Sequence, residues 1–247
     1  MNILVCISKV PDTTTKIRFL SDASGLDTNG VTWIVNPSDE WYALVRALEL
    51  KEAAGSGKVI IITVGGAEDD PIIRKALAVG ADEAVRIDAP AHDAAFVAKQ
   101  IAAWVKENPV DFILTGKETI DYNGSVMGGM LAAHLDVPYV ALVEKLEKSG
   151  NTTHMHRDIG GGTEEVEVEG MFVASATKGL AEQRIPNMRG IMAARTKPIH
   201  VTPPVDAQPG VKFKNYSLPP EKGACKMIDP DNMDELVRLL NQEAKVL

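Results

Sequence analysis

The sequence predicts a doubly wound α/β fold with a mostly parallel sheet. Up to about residue 145, short runs rich in Val and Ile alternate with segments whose apolar residues recur at helical spacing. Runs that are apolar almost throughout are typical of strands buried on both faces of a parallel sheet. Strands and helices that alternate in this way form such a sheet with helices on both of its faces.

The predicted elements follow one another without interruption. Five runs are predicted as strands: NILVCI, VTWIV, KVIIITV, EAVRI and VDFILTG. Three segments between them are predicted as helices: SDEWYALVRALELKEAAG, DDPIIRKALAVGA and HDAAFVAKQIAAWVKEN. Ser38 or Asp39 is expected to cap the first helix, and Asp70 the second, with Pro71 at its first position.

The pattern changes after residue 145. Residues 145–170 alternate polar and apolar side chains around two turn signals at 149–151 and 160–162, which predicts an antiparallel hairpin. MFVASAT is predicted as a further buried strand. The chain is then rich in Pro, Gly and Lys and ends in a capped helix. We therefore predict an α/β domain over residues 1–201. Residues 202–247 are predicted as an extended arm and helix that pack on this domain or on a partner chain.

Composition excludes several classes of protein. The chain has 247 residues, of which 45% are hydrophobic, so it can bury a sizeable core. A net charge of −8 argues against a general nucleic-acid binder, because phosphate contacts need clustered Lys and Arg. Cys6 and Cys225 lie far apart, which favours a reducing compartment. We find no signal-peptide pattern and no spanning apolar run, so a cytoplasmic protein is expected.

The stretch LTGKETIDYNGSVMGG, residues 114–129, holds four glycines between a predicted strand and a predicted helix. Asn36, Gly65 and Gly116 each follow or end a predicted strand, and ligands of open α/β sheets bind at the carboxyl ends of the strands. A helix opening after Asn123 would offer N–H groups to an anion. The glycines could instead serve only as turns, but three such loops at one sheet edge favour a ligand.

Known catalytic and nucleotide motifs are absent. There is no GxxxxGK[ST], no GxGxxG after the first strand and no GxSxG. Asp121 could bind a ribose hydroxyl or a magnesium ion, or it could only cap a helix. His154 and His156 share a strand face without a third ligand, so we predict an exposed hairpin face and no metal site. With no catalytic residues, a nucleotide binder or carrier is favoured over an enzyme.

The segment EQRIPNMRGIMAARTKP, residues 182–198, reverses the local charge of an acidic protein. From residue 184 to 197 it holds four cations and no acid. Methionine and isoleucine are interleaved with these cations, and methionine is common at adaptable contact surfaces. The pattern indicates either a docking loop for acidic partners or a buried helix end with solvated basic residues.

Several stretches together resemble the β (small) subunit of electron-transfer flavoproteins. They are ILVCISKVPDTTTKIRF, VNPSDEWYALVRALELKE, IRKALAVGADEAVRI, ILTGKETIDYNGSVMGGMLAAHL, RIPNMRGIMAARTKP and YSLPPEKGACKMID, and they occur in the family's order. The resemblance covers nearly the whole chain.

The resemblance implies an αβ heterodimer with one redox-active FAD, held mostly by the α subunit. The β subunit has an adenine-nucleotide α-hydrolase-like fold, contains a structural AMP, and carries a recognition loop for partner dehydrogenases. Electrons pass from dehydrogenases, commonly acyl-CoA dehydrogenases, to a membrane quinone oxidoreductase. The expected location is the bacterial cytoplasm, or the mitochondrial matrix in a eukaryote.

The resemblance also transfers roles to particular residues. AMP contacts are expected at Cys6, Asn36, Gly65, Gly116, Asp121, Tyr122, Asn123, Gly124, Ser125, Val126 and Met127. The flavin edge is expected near Val10, Pro11, Asp12 and Thr13. The recognition loop comprises Arg184, Ile185, Met188, Arg189, Ile191, Met192 and Arg195, with Met188 as its anchor.

The chain departs from the family pattern in the loop that follows Asp121 and lacks a subgroup's signature. Members with well-defined AMP sites often carry Asn, Gln or Thr there; Ser125 can replace one polar contact, whereas Met127 cannot donate the hydroxyl of a Thr. The loop also lacks the Asp-Gly-Asp and Gln-Val pattern of bifurcating members, so we predict AMP rather than a second FAD. The alternative is a stand-alone nucleotide-binding regulator or ATP hydrolase, which would need neither the basic loop nor the long tail.

Overall fold

The computed structural model describes all 247 residues. The strands are β1 (Asn2–Cys6), β2 (Lys9–Pro11), β3 (Trp33–Val35), β4 (Lys58–Val64), β5 (Glu83–Ile87), β6 (Phe112–Gly116), β7 (Tyr139–Ser149), β8 (Thr152–Asp158), β9 (Thr163–Glu169), β10 (Val173–Ala176) and β11 (Ile199–Thr202). The α-helices are α1 (Asp39–Ala54), α2 (Asp70–Val79), α3 (Ala94–Glu107), α4 (Met127–Leu135), α5 (Met188–Ala194) and α6 (Met233–Gln242). None of these helices combines the length and apolarity needed to cross a bilayer.

One nine-stranded sheet has the order β11-β5-β4-β1-β6-β10-β7-β8-β9. The strands from β11 to β7 run parallel, and β8 and β9 continue the sheet antiparallel. From β1 the chain adds β4 and β5 on one side and then places β6 on the other side. The sheet is therefore doubly wound, and its strand order reverses between β1 and β6.

Two apolar layers cover the sheet, one on each face. Ile3 and Val5 belong to the layer that contains α1 and α2, whereas Leu4 and Cys6 belong to the layer that contains α3 and α4. Successive residues of a strand point to opposite faces, so β1 supplies both layers. This double coverage explains why the strand sequences are apolar almost throughout.

The run VTWIV, predicted as a strand of the parallel sheet, has a different partner. The structure pairs Trp33–Val35 antiparallel with Lys9–Pro11 in a separate two-stranded sheet. Helix α2 packs against β3. The prediction was wrong because an apolar run reports burial and not which strand lies beside it.

Helices α1 and α2 begin close to their predicted first residues. α1 starts at Asp39, and the side chain of the preceding Ser38 makes no capping hydrogen bond. A 3-10 turn precedes α2, so Asp69 rather than Asp70 occupies the cap position. Pro71 is therefore the second residue of α2 and not the first, although it still lies in the first turn.

The helix predicted to open after Asn123 begins at Met127, three residues later than predicted. Asn123 and Ser125 have φ values of 47° and 53°. A residue in the left-handed region cannot continue a right-handed helix. Gly124 and Ser125 therefore belong to the preceding loop and not to the first helical turn, which corrects the prediction.

The predicted antiparallel hairpin is present as β8 and β9, and β7 extends it to three strands. The turn signals at 149–151 and 160–162 separate these strands as predicted. His154 faces Glu167 across the strands at 3.5 Å, and His156 faces Glu165 at 3.9 Å. The two histidines lie opposite glutamates on the outer part of the sheet.

The chain groups into two compact units. The larger comprises Met1–Ile17 and Asp27–Lys214, and the smaller comprises Arg18–Leu26 and Asn215–Leu247. In the larger unit, β11 pairs with β5 at the sheet edge, and residues 203–214 follow without regular secondary structure. In the smaller unit, Asn232 caps α6 by accepting the N–H of Glu235. The domain boundary after residue 201 stays a prediction.

We expect Phe112→Ala to destabilise the protein by about 3–5 kcal/mol, the usual loss for a buried phenylalanine. Phe112 is fully buried in β6 and stacks on Phe172 with ring centroids 4.9 Å apart. Urea denaturation measures the change, and Phe112→Leu, which leaves a smaller cavity, should cost clearly less. Equal stability of wild type and the alanine variant would contradict this packing.

Candidate functional site

The reversal of strand order brings loops from different strands to one edge of the sheet. β1 ends at Cys6 and its parallel neighbour β6 ends at Gly116. A ligand of an open α/β sheet binds outside the carboxyl ends of the strands at such a point. The first turn of α1 and residues 117–126, which we call the β6–α4 loop, adjoin this edge.

Glu40 of α1 contacts the chain that follows β1 and packs on the end of β6, so it joins these three elements at the sheet edge. Glu40 is buried, with 4% of its surface exposed, and its Oε2 accepts the backbone N–H of Ser8 at 2.6 Å. A Cβ atom at Gly116 would lie 2.7 Å from Cγ of Glu40 and 3.2 Å from Cβ of Asp39. Glycine at 116 therefore allows the first turn of α1 to pack directly on the end of β6.

Burial alters the ionisation of this junction. Burial, reinforced by the charges of Asp121 and Asp39 and opposed by the Ser8 hydrogen bond, raises the pKa of Glu40 to about 8. Burial also raises the pKa of Asp39. Burial and the neighbouring Glu40 carboxyl raise the pKa of the Cys6 thiol. Near neutral pH, Glu40 is mostly protonated and Cys6 is a neutral thiol within the apolar layer of α3 and α4.

Asn36 fastens the β6–α4 loop to the sheet. Its Nδ2 donates to the carbonyl of Glu118 at 2.9 Å, and its Oδ1 accepts the N–H of Ile120 at 3.0 Å. Its own N–H donates to the carbonyl of Ser8 at 2.9 Å. Asn36 is fully buried. Because both ends of its amide are used by the loop backbone, it positions the loop from which a ligand would be contacted.

The β6–α4 loop also carries internal hydrogen bonds. The Ser125 hydroxyl donates to the Glu118 carboxylate at 2.7 Å, and this bond lowers the pKa of Glu118. The N–H of Asn123 donates to the carbonyl of Thr119 at 2.9 Å. The left-handed conformations of Asn123 and Ser125 cost on the order of 1 kcal/mol each, and such strain is concentrated at ligand sites and switches.

Helix α4 begins without a side-chain cap. Val126 occupies the cap position and forms no side-chain capping hydrogen bond. The first N–H groups of the helix, from Met127 onward, have no acceptor within it, and the helix dipole adds positive potential there. The Met127 side chain packs on the layer formed with α3, so its backbone is the part available to an anion.

Gly65 lies at the end of β4 beside a charged cluster. Its N–H donates to the carbonyl of Ile87 at 3.0 Å, and its own carbonyl accepts from Arg86 at 3.1 Å. A Cβ atom at this position would overlap the carboxylate of Asp69. These contacts explain why a glycine stands here, and its role in nucleotide binding stays a prediction.

The residues predicted near a flavin lie in and after β2. Val10 is 1% exposed and Pro11 is buried, whereas Thr13 is exposed. The carboxylate of Asp12 accepts the N–H of Thr14 at 2.8 Å and so stabilises a turn. Within this chain, the turn at Asp12 and Thr13 is the part open to a partner.

The basic segment, residues 182–198, contains the short helix α5, and several of its apolar side chains are exposed. Ile185 is 81% exposed and Met188 73%, and Ile191 and Met192 are exposed as well. The helix is α5, capped by Asn187, which accepts the N–H of Gly190 at 2.9 Å. Of the two readings of the sequence, a protruding apolar surface is the one the geometry favours.

Helix α5 is firmly attached to the body of the protein. Arg74 of α2 donates to the carbonyl of Ala194 at 2.7 Å. Gly190 lies so close to the carbonyl of Ala78 that a side chain there would overlap it. A surface pocket of about 460 Å³ lies between α2 and α5, apart from the β1–β6 edge, and Arg74 and Ile191 are among its lining residues.

The structure uses two of the four basic residues of this segment internally. Arg184 forms a two-bond pair with Glu52, at 2.7 Å and 3.1 Å. Lys197 donates to the carbonyls of Leu77 and Ala81 at the end of α2, and burial lowers its pKa. Arg189 and Arg195 are exposed beside the apolar residues of α5. Only two of the four basic residues counted in the sequence are therefore available to a partner.

Sequence reasoning missed Glu40, which holds the centre of the site. Acidic residues are common in the first turn of a helix because they interact favourably with the helix dipole. An acid at this position therefore gives no reason to expect a buried carboxyl. The available signal was the pattern NPSDE directly after an apolar run. Glu118, which anchors Ser125, gave no signal beyond its place in the loop.

Fold and site together are typical of α/β proteins that bind a ligand outside the carboxyl ends of their parallel strands. The family model described as "Electron transfer flavoprotein domain" matches residues 24–207. The chain belongs to the electron transfer flavoprotein family, and it is similar over its whole length to members named as β subunits. The resemblance found in the sequence is thereby confirmed, and an electron-transfer role within a flavoprotein follows.

The relatives include bacterial proteins and a mitochondrial protein of a plant. The chain is 34% identical to the electron transfer flavoprotein subunit beta of Bacillus subtilis, over 100% of both chains. It is 31% identical to the mitochondrial subunit beta of Arabidopsis thaliana, again over 100% of both. It is 30% identical to the caffeyl-CoA reductase-Etf complex subunit CarD of Acetobacterium woodii, over 99% of this chain and 98% of the relative.

We expect Glu40→Gln to flatten the dependence of stability on pH. The wild-type carboxyl has its pKa raised from 4.5 to about 8 in the folded state. The contribution of the protonated Glu40 carboxyl to the free energy of unfolding is therefore complete below the pKa of the unfolded chain, 4.5, and is lost as pH rises through about 8. Glutamine cannot ionise, yet it keeps an oxygen that can accept the Ser8 N–H.

Urea denaturation at a series of pH values measures this effect. Each pKa unit is worth about 1.4 kcal/mol, so the two proteins should diverge by several kcal/mol at most across the range. Exposed Glu107→Gln is the matched control and should follow the wild type. Parallel curves for wild type and Glu40→Gln would show that Glu40 does not carry the titration.

Proposed function

We propose that this chain pairs with a larger α subunit, which holds most of a redox-active FAD, and that the complex carries electrons. In this proposal it accepts electrons from dehydrogenases, such as acyl-CoA dehydrogenases, and passes them to a membrane quinone oxidoreductase. The observation that carries the proposal is the family match along the whole chain. The proposed location is the bacterial cytoplasm, or the mitochondrial matrix in a eukaryote.

A structural AMP at the β1–β6 edge is the proposed nucleotide of this chain. Its phosphate would bind the uncapped N-terminus of α4, where Met127 and Gly128 supply N–H groups. Gly124 in the loop permits close approach of backbone to the ligand. The donor set fits a phosphate through backbone groups, so the missing hydroxyl at Met127 does not remove the site.

The acids around this edge also fit a nucleotide. Glu40 carries no charge for most of its population at neutral pH, because its pKa is raised to about 8. Asp121 in the loop is exposed, and its carboxylate can accept hydrogen bonds from ribose hydroxyls. Lys117 pairs with Glu118 at 3.2 Å and so reduces the local negative charge.

The FAD of the complex would supply the electron-accepting ring. This chain's contribution is the turn that follows β2. Asp12 holds that turn through Thr14, and its pKa is lowered by these hydrogen bonds. The exposed Thr13 would then lie at the edge of the flavin.

Helix α5 is the proposed docking surface for dehydrogenases. Met188 protrudes from a helix that is braced by Arg74 and by the close contact of Gly190 with α2. A rigid support lowers the entropy lost when an exposed side chain enters a partner's pocket. Arg189 and Arg195 beside it favour a partner with acidic residues around that pocket.

Nucleotide analysis of the complex purified from its native host tests the proposed function. Acid release and chromatography should give about one FAD and about one AMP for each pair of subunits. Two FAD and no AMP would contradict the AMP proposal. Purification of this chain alone, as a monomer that hydrolyses ATP, would contradict the carrier proposal as a whole.

We expect Met188→Ala to slow electron transfer from the partner dehydrogenase by roughly fivefold or more, the effect of losing a well-packed interface side chain. Stopped-flow reduction of the complex measures this rate. The FAD and AMP content should not change, because Met188 is 73% exposed and forms no part of the core. Met227→Ala, an 85% exposed methionine, is the matched control. Identical rates for both variants would exclude the docking role.

A further inference from the structure

The start of the C-terminal arm is tied to helix α3 at two points. The side-chain amide of Gln100 exchanges two hydrogen bonds with the backbone of Val205, each of 2.8 Å. Asp93 accepts the N–H groups of Gly210 and Val211 at 2.6 Å and 2.7 Å. Gln100 is 2% exposed, so this attachment is built into the protein and is not a loose surface contact.

Asp93 performs two functions at this attachment. One carboxylate oxygen accepts the N–H of Phe96 at 2.7 Å and caps α3. The other oxygen holds the arm, and the combined hydrogen bonds lower the pKa of Asp93. Because Asp93 is ionised over the physiological range, the arm stays fastened at residues 210 and 211.

This attachment places an aromatic ring of the arm on the β6–α4 loop. Phe213 lies two residues beyond Val211, and its ring centroid is 4.9 Å from that of Tyr122 at an interplanar angle of 37°. Phe213 remains 47% exposed and Tyr122 55% exposed. A pair this open contributes little to the core, so its main physical effect is to restrain the loop.

The restrained part of the loop is the part with unfavourable backbone geometry. Tyr122 directly precedes Asn123, and Ser125 follows two residues later, both with positive φ. Asn36 fixes the beginning of the loop at Glu118 and Ile120. Phe213 provides a second restraint nearer to the start of α4, where the proposed phosphate site lies.

We propose that Phe213 is a positioning residue of the nucleotide site, which holds the β6–α4 loop through Tyr122 in the conformation that binds an adenine mononucleotide. This inference rests on the proposed function, since it names a residue that supports the same site. A loop ordered before binding loses less entropy when the ligand arrives. Removal of the ring should therefore release the nucleotide faster without altering its chemistry.

The test measures exchange of bound AMP against isotopically labelled AMP in the full-length protein purified from its native host. Phe213→Ala should accelerate exchange roughly three- to tenfold, the range expected from one aromatic pair. Phe213→Tyr keeps the ring and should exchange at the wild-type rate. Val211→Ala keeps the backbone N–H that Asp93 accepts and shortens only a 59% exposed side chain, so it should also leave the rate unchanged.

Hydrogen exchange supplies a second measurement, which a general loss of stability would not imitate. In Phe213→Ala the amide of Asn123, which donates to the carbonyl of Thr119, should lose protection, while those of β1 and β6 keep it. An unchanged AMP exchange rate together with unchanged loop protection would overturn the positioning role and leave AMP binding intact. Wild-type protein without AMP would instead contradict the proposed function, so the two failures are distinguishable.

Discussion

The architecture of the candidate site depends on a buried carboxyl group. Glu40 lies where β1, α1 and β6 meet, and it accepts the N–H of Ser8 at 2.6 Å while α1 packs directly on Gly116. Burial of this group is tolerated because its pKa is raised to about 8, so that near neutral pH the buried species is mostly the neutral carboxylic acid. With this junction in place, Asn36 can hold the loop that follows β6.

Two surfaces with different physical properties lie on this framework. The edge between β1 and β6 offers backbone donors, strained loop residues and acids, which fit a small polar ligand. Helix α5 and the residues before it offer exposed Met188 and Ile185 on a braced support, which is an apolar surface. The two surfaces therefore differ in the chemistry that they offer and lie at different places on the larger unit.

Most of the fold could be predicted, and the errors have definite causes. β1, β4, β5 and β6 were identified because strands with helices on both faces are apolar throughout. The same signal failed for Trp33–Val35, where α2 covers the apolar side chains and the partner strand is Lys9–Pro11. The start of α4 was misplaced because serine rarely adopts the left-handed conformation, so the residue type of Ser125 gave no sign of it.

The sequence by itself determined the fold class and the family, since periodicity, turn residues and motif order are local properties of the chain. Only the tertiary structure showed that Glu40 is buried and that Arg184 and Lys197 point to internal partners. Only the tertiary structure brought Phe213 to Tyr122. Such contacts join residues distant along the chain, and their geometry depends on how the whole sheet and its helices pack, which no local pattern records.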